Sequence, residues 1–313
     1  MERKTKKTTR NIRVIFALLL FMLAGGLLSL ILSMVNNNKL LEIELLNVEK
    51  QILEVNNNIK TYEDEIVRLN ERKEEISNVD VLTAQYKNDY FDYARSLEER
   101  INNGESDLKI AYLTFDDGPY RMSNKFLDVL DEYDVQATFF YLKKCAELGY
   151  RDEEIYDAVY QRVINSGHTL GNHTATHKLG KDGVYSSLER FMSDIEENRK
   201  FIYDRYGYTT DIMRFPGGSN TSNLTPQIKE ELKKINYGWI DWNSETGDGR
   251  KVLSPEEYRD NVLNNTNDRK FLVVLMHDYS DNTLIALPEI IEGLQKQGYI
   301  FLPLFYDSIV VNK

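Results

Sequence analysis

An α/β fold built on a parallel sheet or barrel is predicted for residues 108–313, and three observations predict it. Apolar, β-rich runs recur at 110–115, 137–142, 169–172, 212–215, 237–241, 271–276 and 299–304. Amphipathic stretches at 124–133, 152–164, 186–206, 226–235, 255–265 and 281–297 separate most of them. Residues able to do chemistry gather where the strands end, the rim on which α/β folds build their sites. Strands that alternate with helices pair in parallel, because each crossover returns the chain to the same end of the sheet.

The first run ends in Asp116-Asp117-Gly118-Pro119. Gly-Pro forces a turn there and presents two adjacent carboxylates at the strand's C-terminal rim. Neighbouring side chains of an extended segment diverge, so these acids can take different tasks. The third run leads into His173-Thr174-Ala175-Thr176-His177. On one helical turn, imidazoles four residues apart aim at a common point. Two histidines with one aspartate make a sound donor set for zinc or a similar divalent ion. The sixth run ends in Leu275-Met276-His277, where a histidine either caps the strand or serves as a general acid. Of the four histidines, His168 precedes the third run and is read as structural. Ser254-Pro255-Glu256-Glu257 opens a helix with a cap-like serine, a proline at the first position and acids in the first turn.

The chain ahead of this unit is organised differently. Its 313 residues carry 50 acids, 39 bases, a net charge of −11 and one cysteine, Cys145. That composition excludes an internal disulfide, a thiolate zinc cage and a general nucleic-acid binder. Residues 1–13 sum to +5 as a basic tail, and residues 14–35 run without a charge. At 1.5 Å per residue such a run extends about 33 Å, enough to span a bilayer. It is longer than the apolar part of a signal peptide, so an uncleaved single-pass anchor is expected. The basic tail places the N-terminus in the cytoplasm and the remainder outside. Residues 36–107 are read as a helical stalk and linker. Leu41, Leu45, Val48, Ile52, Val55, Ile59, Tyr62, Ile66, Leu69, Lys73 and Ile76 keep heptad spacing, which fits a coiled coil with a second copy or a partner helix. Tyr86, Tyr90, Phe91 and Tyr93 are read as packing surface, and residues 102–106 as the domain boundary.

Thr114–Pro119, His173–His177, Arg214-Phe215-Pro216-Gly217-Gly218 and Leu275-Met276-His277 together resemble the first, second, third and fifth motifs of the polysaccharide deacetylase family, the NodB-homology domain of carbohydrate esterase family 4. The resemblance covers residues 108–313. It implies a distorted (β/α) barrel of about seven parallel strands, and metal-dependent removal of N-acetyl groups from amino sugars. It also implies roles: Asp117, His173 and His177 hold the metal, zinc first with cobalt, manganese or nickel as alternatives. Asp116 is the general base and His277 the general acid. Arg214 orients and tunes Asp116, and the backbone N–H of Gly217 helps hold the oxyanion. Arg214 itself needs a carboxylate neighbour, for which Asp248 is the candidate. The fourth motif departs from the family pattern, since Gly249 stands where a pocket tryptophan is usual; Trp242 or Trp239 is expected to fill that space. Leu275 and Trp242 are expected to support the substrate. An anchored enzyme of this kind faces the cell wall, which makes N-acetylglucosamine of peptidoglycan the expected substrate. Poly-N-acetylglucosamine, chitin-like oligomers and a non-catalytic envelope scaffold are the alternatives.

Overall fold

The computed structural model describes residues 20–24, 50–53, 55–57, 59–61, 90–144 and 153–313. Among them, 20–24 and the described residues of 50–61 are helical, and no helix is long and apolar enough to cross a membrane. The anchor at 14–35 and the heptads at 41–76 lie largely outside the described residues, as do Tyr86 and Cys145.

The chain divides into compact units at 1–86 and 87–313. The second unit therefore starts fifteen residues before the expected boundary at 102–106. Its first element is helix α1 over 90–102, which the sequence reading placed in the stalk. The elements that follow are β1 (Lys109–Asp116), α2 (Ser123–Glu132), β2 (Thr138–Tyr141), α3 (Glu153–Asn165), β3 (Thr169–Asn172), α4 (Leu188–Tyr206), β4 (Ile212–Met213), α5 (Thr225–Lys234), β5 (Gly238–Trp239), β6 (Ser244–Glu245), α6 (Pro255–Leu263), β7 (Phe271–His277), α7 (Asp281–Lys296) and β8 (Tyr299–Phe301). All pairings between these strands are parallel, in the order β5-β4-β3-β2-β1-β7-β6. Strand β1 shares one edge between β2 at 114–116 and β8 at 109–111. The sheet stays open between β5 and β6 among the described residues, a half-barrel of one strand more than expected. The extra strand is β6, two residues long and too short to leave a periodic signal.

Both faces of β1 are buried, and the period of two sorts them. Ala111, Leu113 and Phe115 point outward into a core shared with α2, α3, α6 and α7. Ile110 and Tyr112 point inward, into a cluster with Phe140, Ile212, Ile240 and Val273. Continued two residues at a time, the inward face carries Thr114 and Asp116 on β1, Leu275 and His277 on β7, and Arg214 just past β4. One face thus changes from apolar at its N-terminal end to reactive at its C-terminal rim.

Helix α1 closes the apolar end. Ala94, Leu97 and Ile101 are buried in the inward cluster. Glu98, on the same face, accepts the Tyr112 hydroxyl at 2.6 Å and the Ile309 N–H at 2.8 Å. Residues 90–102 thus pack on the barrel floor through Ala94, Leu97 and Ile101. Phe91 packs at a tilt against Phe305 with ring centres 5.2 Å apart, and Tyr90 meets Phe91 edge-on, whereas Tyr93 is exposed. On α6, Ser254 is the cap the sequence suggested, and Glu257 completes it reciprocally by accepting the Ser254 N–H. His168 is buried, and its Nδ1 accepts the Ala137 N–H at 3.0 Å.

Candidate active site

The β1–β7 register sets Asp116 directly beside His277, so two residues 161 apart in sequence stand on adjacent strands. Around them lies a cleft of about 230 Å³ lined by Asp116, Asp117, His173, His177, Gly217, Trp242, Glu245, Gly249, Arg250, Leu275 and His277.

Asp116 belongs to the extended strand, but Asp117 turns into the left-handed region at φ 71°, and both carboxylates reach the His173 Nε2, at 3.8 and 3.3 Å. Asp116 Oδ1 accepts from Arg214 at 2.9 Å. Arg214 is fully buried and also donates to the Thr114 hydroxyl at 2.6 Å and to the Ile240 carbonyl at 3.2 Å. Its guanidinium lies over the Phe140 ring, 4.5 Å from the centroid. A buried guanidinium so enclosed is held on all sides, which fixes Asp116 in place.

Asp117 Oδ1 lies 3.3 Å from His173 Nε2 and 3.4 Å from His177 Nε2. Among the described residues these three form the one group of acid and histidine donors whose ligand atoms gather this closely, all within 4.8 Å of one another. His173 Nδ1 sits 2.9 Å from the Arg214 carbonyl, so it carries the proton and leaves Nε2 free to act as a ligand. An aspartate and two imidazoles with converging atoms fit a divalent ion such as zinc and leave further coordination positions open. Burial would raise the Asp117 pKa; hydrogen bonding to His173 and the nearby imidazoles hold it well below the usual carboxylate range.

The segment 173–177 is a loop, not the expected helical turn. Thr174 and His177 have φ of 71° and 48°. Such conformations cost about 1–3 kcal/mol each and persist only where surroundings impose them. Here Asp194 of α4 imposes them. Its Oδ2 accepts the N–H groups of Ala175 and Thr176 at 2.8 and 2.9 Å, and its Oδ1 the Thr176 hydroxyl at 3.0 Å. Thr174 Oγ1 in turn accepts the His177 N–H at 3.0 Å. The sequence signal for Asp194 was available: an acid on the apolar face of a helix, among Phe191, Ile195, Asn198 and Ile202.

Asp248 does not neighbour Arg214. It pairs instead with His277, its Oδ1 lying 2.8 Å from Nδ1 while Oδ2 accepts the His277 N–H at 2.9 Å. Arg214 was already satisfied by Asp116 and backbone carbonyls, which is why it needed no second acid. Burial alone would lower the His277 pKa; the Asp248 bond and the charges of Asp248, Asp116 and Asp117 raise it to about 9. These carboxylates favour the protonated ring, whose Nε2 faces the cleft 3.6 Å from Asp117 Oδ2.

Gly217 and Gly218 follow one another at φ 73° and 90°, a backbone other residues rarely adopt, and Gly217 lines the cleft. Trp242 also lines it, whereas Trp239 is buried with Phe215 and Ile228 and does not. Gly249 lies against the His277 ring, where an added Cβ would stand 2.6 Å from Cε1. No side chain fits at 249 with His277 as placed, so the missing tryptophan is a packing requirement of this site.

The chain matches the polysaccharide deacetylase family over residues 103–237. It is 30% identical over 212 residues to a peptidoglycan-N-acetylglucosamine deacetylase of Bacillus cereus, covering 66% of this chain and 72% of that protein. A chitin deacetylase of Colletotrichum lindemuthianum is 29% identical over 60% of this chain and 74% of its own length. In structure, the chain resembles the catalytic domain of peptidoglycan N-acetylglucosamine deacetylase from Eubacterium rectale, with a TM-score of 0.59, 33% identity and coverage of 65% and 91% of the two chains. By this match and these similarities in sequence and fold, the chain belongs to the polysaccharide deacetylase family.

Proposed function

We propose that the protein is a metal-dependent hydrolase that removes N-acetyl groups from N-acetylglucosamine of peptidoglycan. The observation that carries this reading is the side-by-side placement of a carboxylate held by Arg214 and an imidazole held by Asp248, next to the Asp117, His173 and His177 donors. A divalent ion held by those donors, zinc in the first instance, supplies Lewis acidity that polarises the acetamide carbonyl and makes water ionisable near neutral pH. Asp116, anchored through Oδ1, takes the proton of the attacking water on Oδ2. The water oxygen forms the new C–O bond, and the developing oxyanion is met by the Gly217 N–H. The C–N bond then breaks as His277 Nε2 hands its proton to the leaving nitrogen, releasing acetate and a free amino sugar. Leu275 and Trp242 shape the walls against which the acetyl group and sugar rest.

The similarity to peptidoglycan deacetylases supports the wall as substrate, and chitin-like oligomers are the alternative that the fungal relative supports. The basic tail and the uncharged run support a single-pass anchor with the catalytic unit outside the cell. The heptads support pairing of the stalk with a second copy or a partner helix. The full chain, purified in detergent and loaded with zinc, cobalt, manganese or nickel, should release acetate from peptidoglycan. Asp116→Asn and His277→Ala should each lower that rate by about 10²–10⁴-fold. Metal-loaded protein that releases no acetate from wall, poly-N-acetylglucosamine or chitooligosaccharides would leave the scaffold reading in its place.

A further inference from the structure

We propose that Thr283 is a positioning residue for the general acid, acting through Asp248; the inference rests on the deacetylase reading above. Thr283 lies in the first turn of α7 and is fully buried. Its Oγ1 donates to Asp248 Oδ2 at 2.8 Å. A threonine in a helix ordinarily satisfies its hydroxyl on the carbonyl one turn back, here that of Tyr279. Thr283 instead gives its proton to a carboxylate on a different segment of the chain, one that contacts the reacting histidine.

The geometry makes that bond a rotational lock. Asp248 Oδ2 already accepts the His277 N–H at 2.9 Å. With a second donor on the same oxygen, the planar carboxylate has one orientation left, the one that turns Oδ1 towards His277 Nδ1 at 2.8 Å. With Nδ1 so engaged, the ring is held in the orientation that directs Nε2 into the cleft, 3.6 Å from Asp117 Oδ2. Tyr279 adds a tether, donating from its hydroxyl to the Asp248 carbonyl at 3.1 Å. Thr283 is itself held firmly. Ser280 caps its N–H at 3.2 Å, Asn282 binds the Leu253 carbonyl at 2.8 Å, and the apolar face of α7 is buried through Ala286, Leu287 and Ile290. The acid is thus oriented by a helix that does not line the cleft.

The test exploits the leaving group. An amine needs the proton from His277, whereas the 4-nitrophenolate of 4-nitrophenyl acetate departs without one. In the metal-loaded full chain, Thr283→Val should lower kcat on N-acetylglucosamine oligomers about tenfold, the equivalent of one hydrogen bond to a charged group, with KM within twofold. The same variant should change hydrolysis of 4-nitrophenyl acetate by less than twofold, and Thr283→Ser should restore most of the amide rate. Should the valine variant not fold, Thr283→Ala is read in the same way. Equal losses on amide and ester, a change confined to KM, or a serine variant no better than valine would overturn the proposal. A wild-type chain inactive on every glycan would instead remove the deacetylase reading, and this inference with it.

Discussion

Replacing Leu97 and Ile101 together by alanine probes the barrel floor. The two residues are one helical turn apart on α1, at 4% and 0% exposure, within the cluster that includes Ile110, Tyr112 and Val273. A large-to-small change in a packed core costs about 2–5 kcal/mol. Adjacent sites share the space they vacate, so the pair is expected to cost about 4–8 kcal/mol rather than the full sum of the single changes. Whole domains are stable by about 5–15 kcal/mol, which makes this most of the margin. Urea unfolding of residues 87–313, followed by tryptophan fluorescence, should show the midpoint falling by half or more with the slope unchanged. A fragment starting at 108 should be at least as compromised, because it also strips the Tyr112 hydroxyl and the Ile309 N–H of their Glu98 acceptor. If the double variant lost less than about 1 kcal/mol, α1 would be an appendage on the unit and not its floor.

Burial depresses the His168 pKa from 6.5 to about 4, with the charges of Asp131 and Arg162 as smaller, opposed influences. The folded state therefore favours the neutral ring: its contribution is complete above pH 6.5 and is lost as pH falls towards 4, by about 3 kcal/mol. Comparing wild type with His168→Gln at pH 7 and pH 4.5 should show a smaller acid loss in the variant, and equal losses would refute the assignment. Asp194→Ala frees the 174–176 backbone and should weaken zinc binding about 10–100-fold by chelator competition, whereas unchanged affinity would mean that the loop holds its own shape. Gly249→Ala sets a Cβ against His277 and should lower kcat about tenfold while sparing zinc affinity; a wild-type rate would show that the 247–250 loop yields instead of the ring.

Strand ends were legible because they combine two local signals, an apolar run and a turn-forming break, with reactive side chains at the junction. Asp116, Asp117 and His277 could be picked out on that basis. Lateral placement was not legible. Which residue of β7 stands beside Asp116 depends on register, and a shift of one would have turned His277 to the outer face. The conformation of 173–177 escaped for a related reason. His-x-x-x-His suits a helix locally, and what overrides that preference is Asp194, seventeen residues downstream of His177 on α4. The partner of Asp248 was misassigned because an arginine seeks any acid in sequence, whereas in space Thr114, Asp116 and backbone carbonyls occupy it.

These long-range contacts divide the site into two halves that meet at one residue. On the base side, Arg214 does two jobs from one position past β4: its guanidinium holds Asp116 and its carbonyl fixes the His173 ring. On the acid side, Asp248 and the first turn of α7 hold His277. Asp117 touches both, with Oδ1 turned to His173 and His177 and Oδ2 lying 3.6 Å from His277 Nε2. Its left-handed backbone is what allows this reach, since an extended residue at 117 would point its side chain to the opposite face from Asp116. The left-handed turn at 117 therefore has a structural purpose: it puts the Asp117 carboxylate on the same side of the sheet as Asp116 and His277. The proposed hydrolysis draws on all three residues at once.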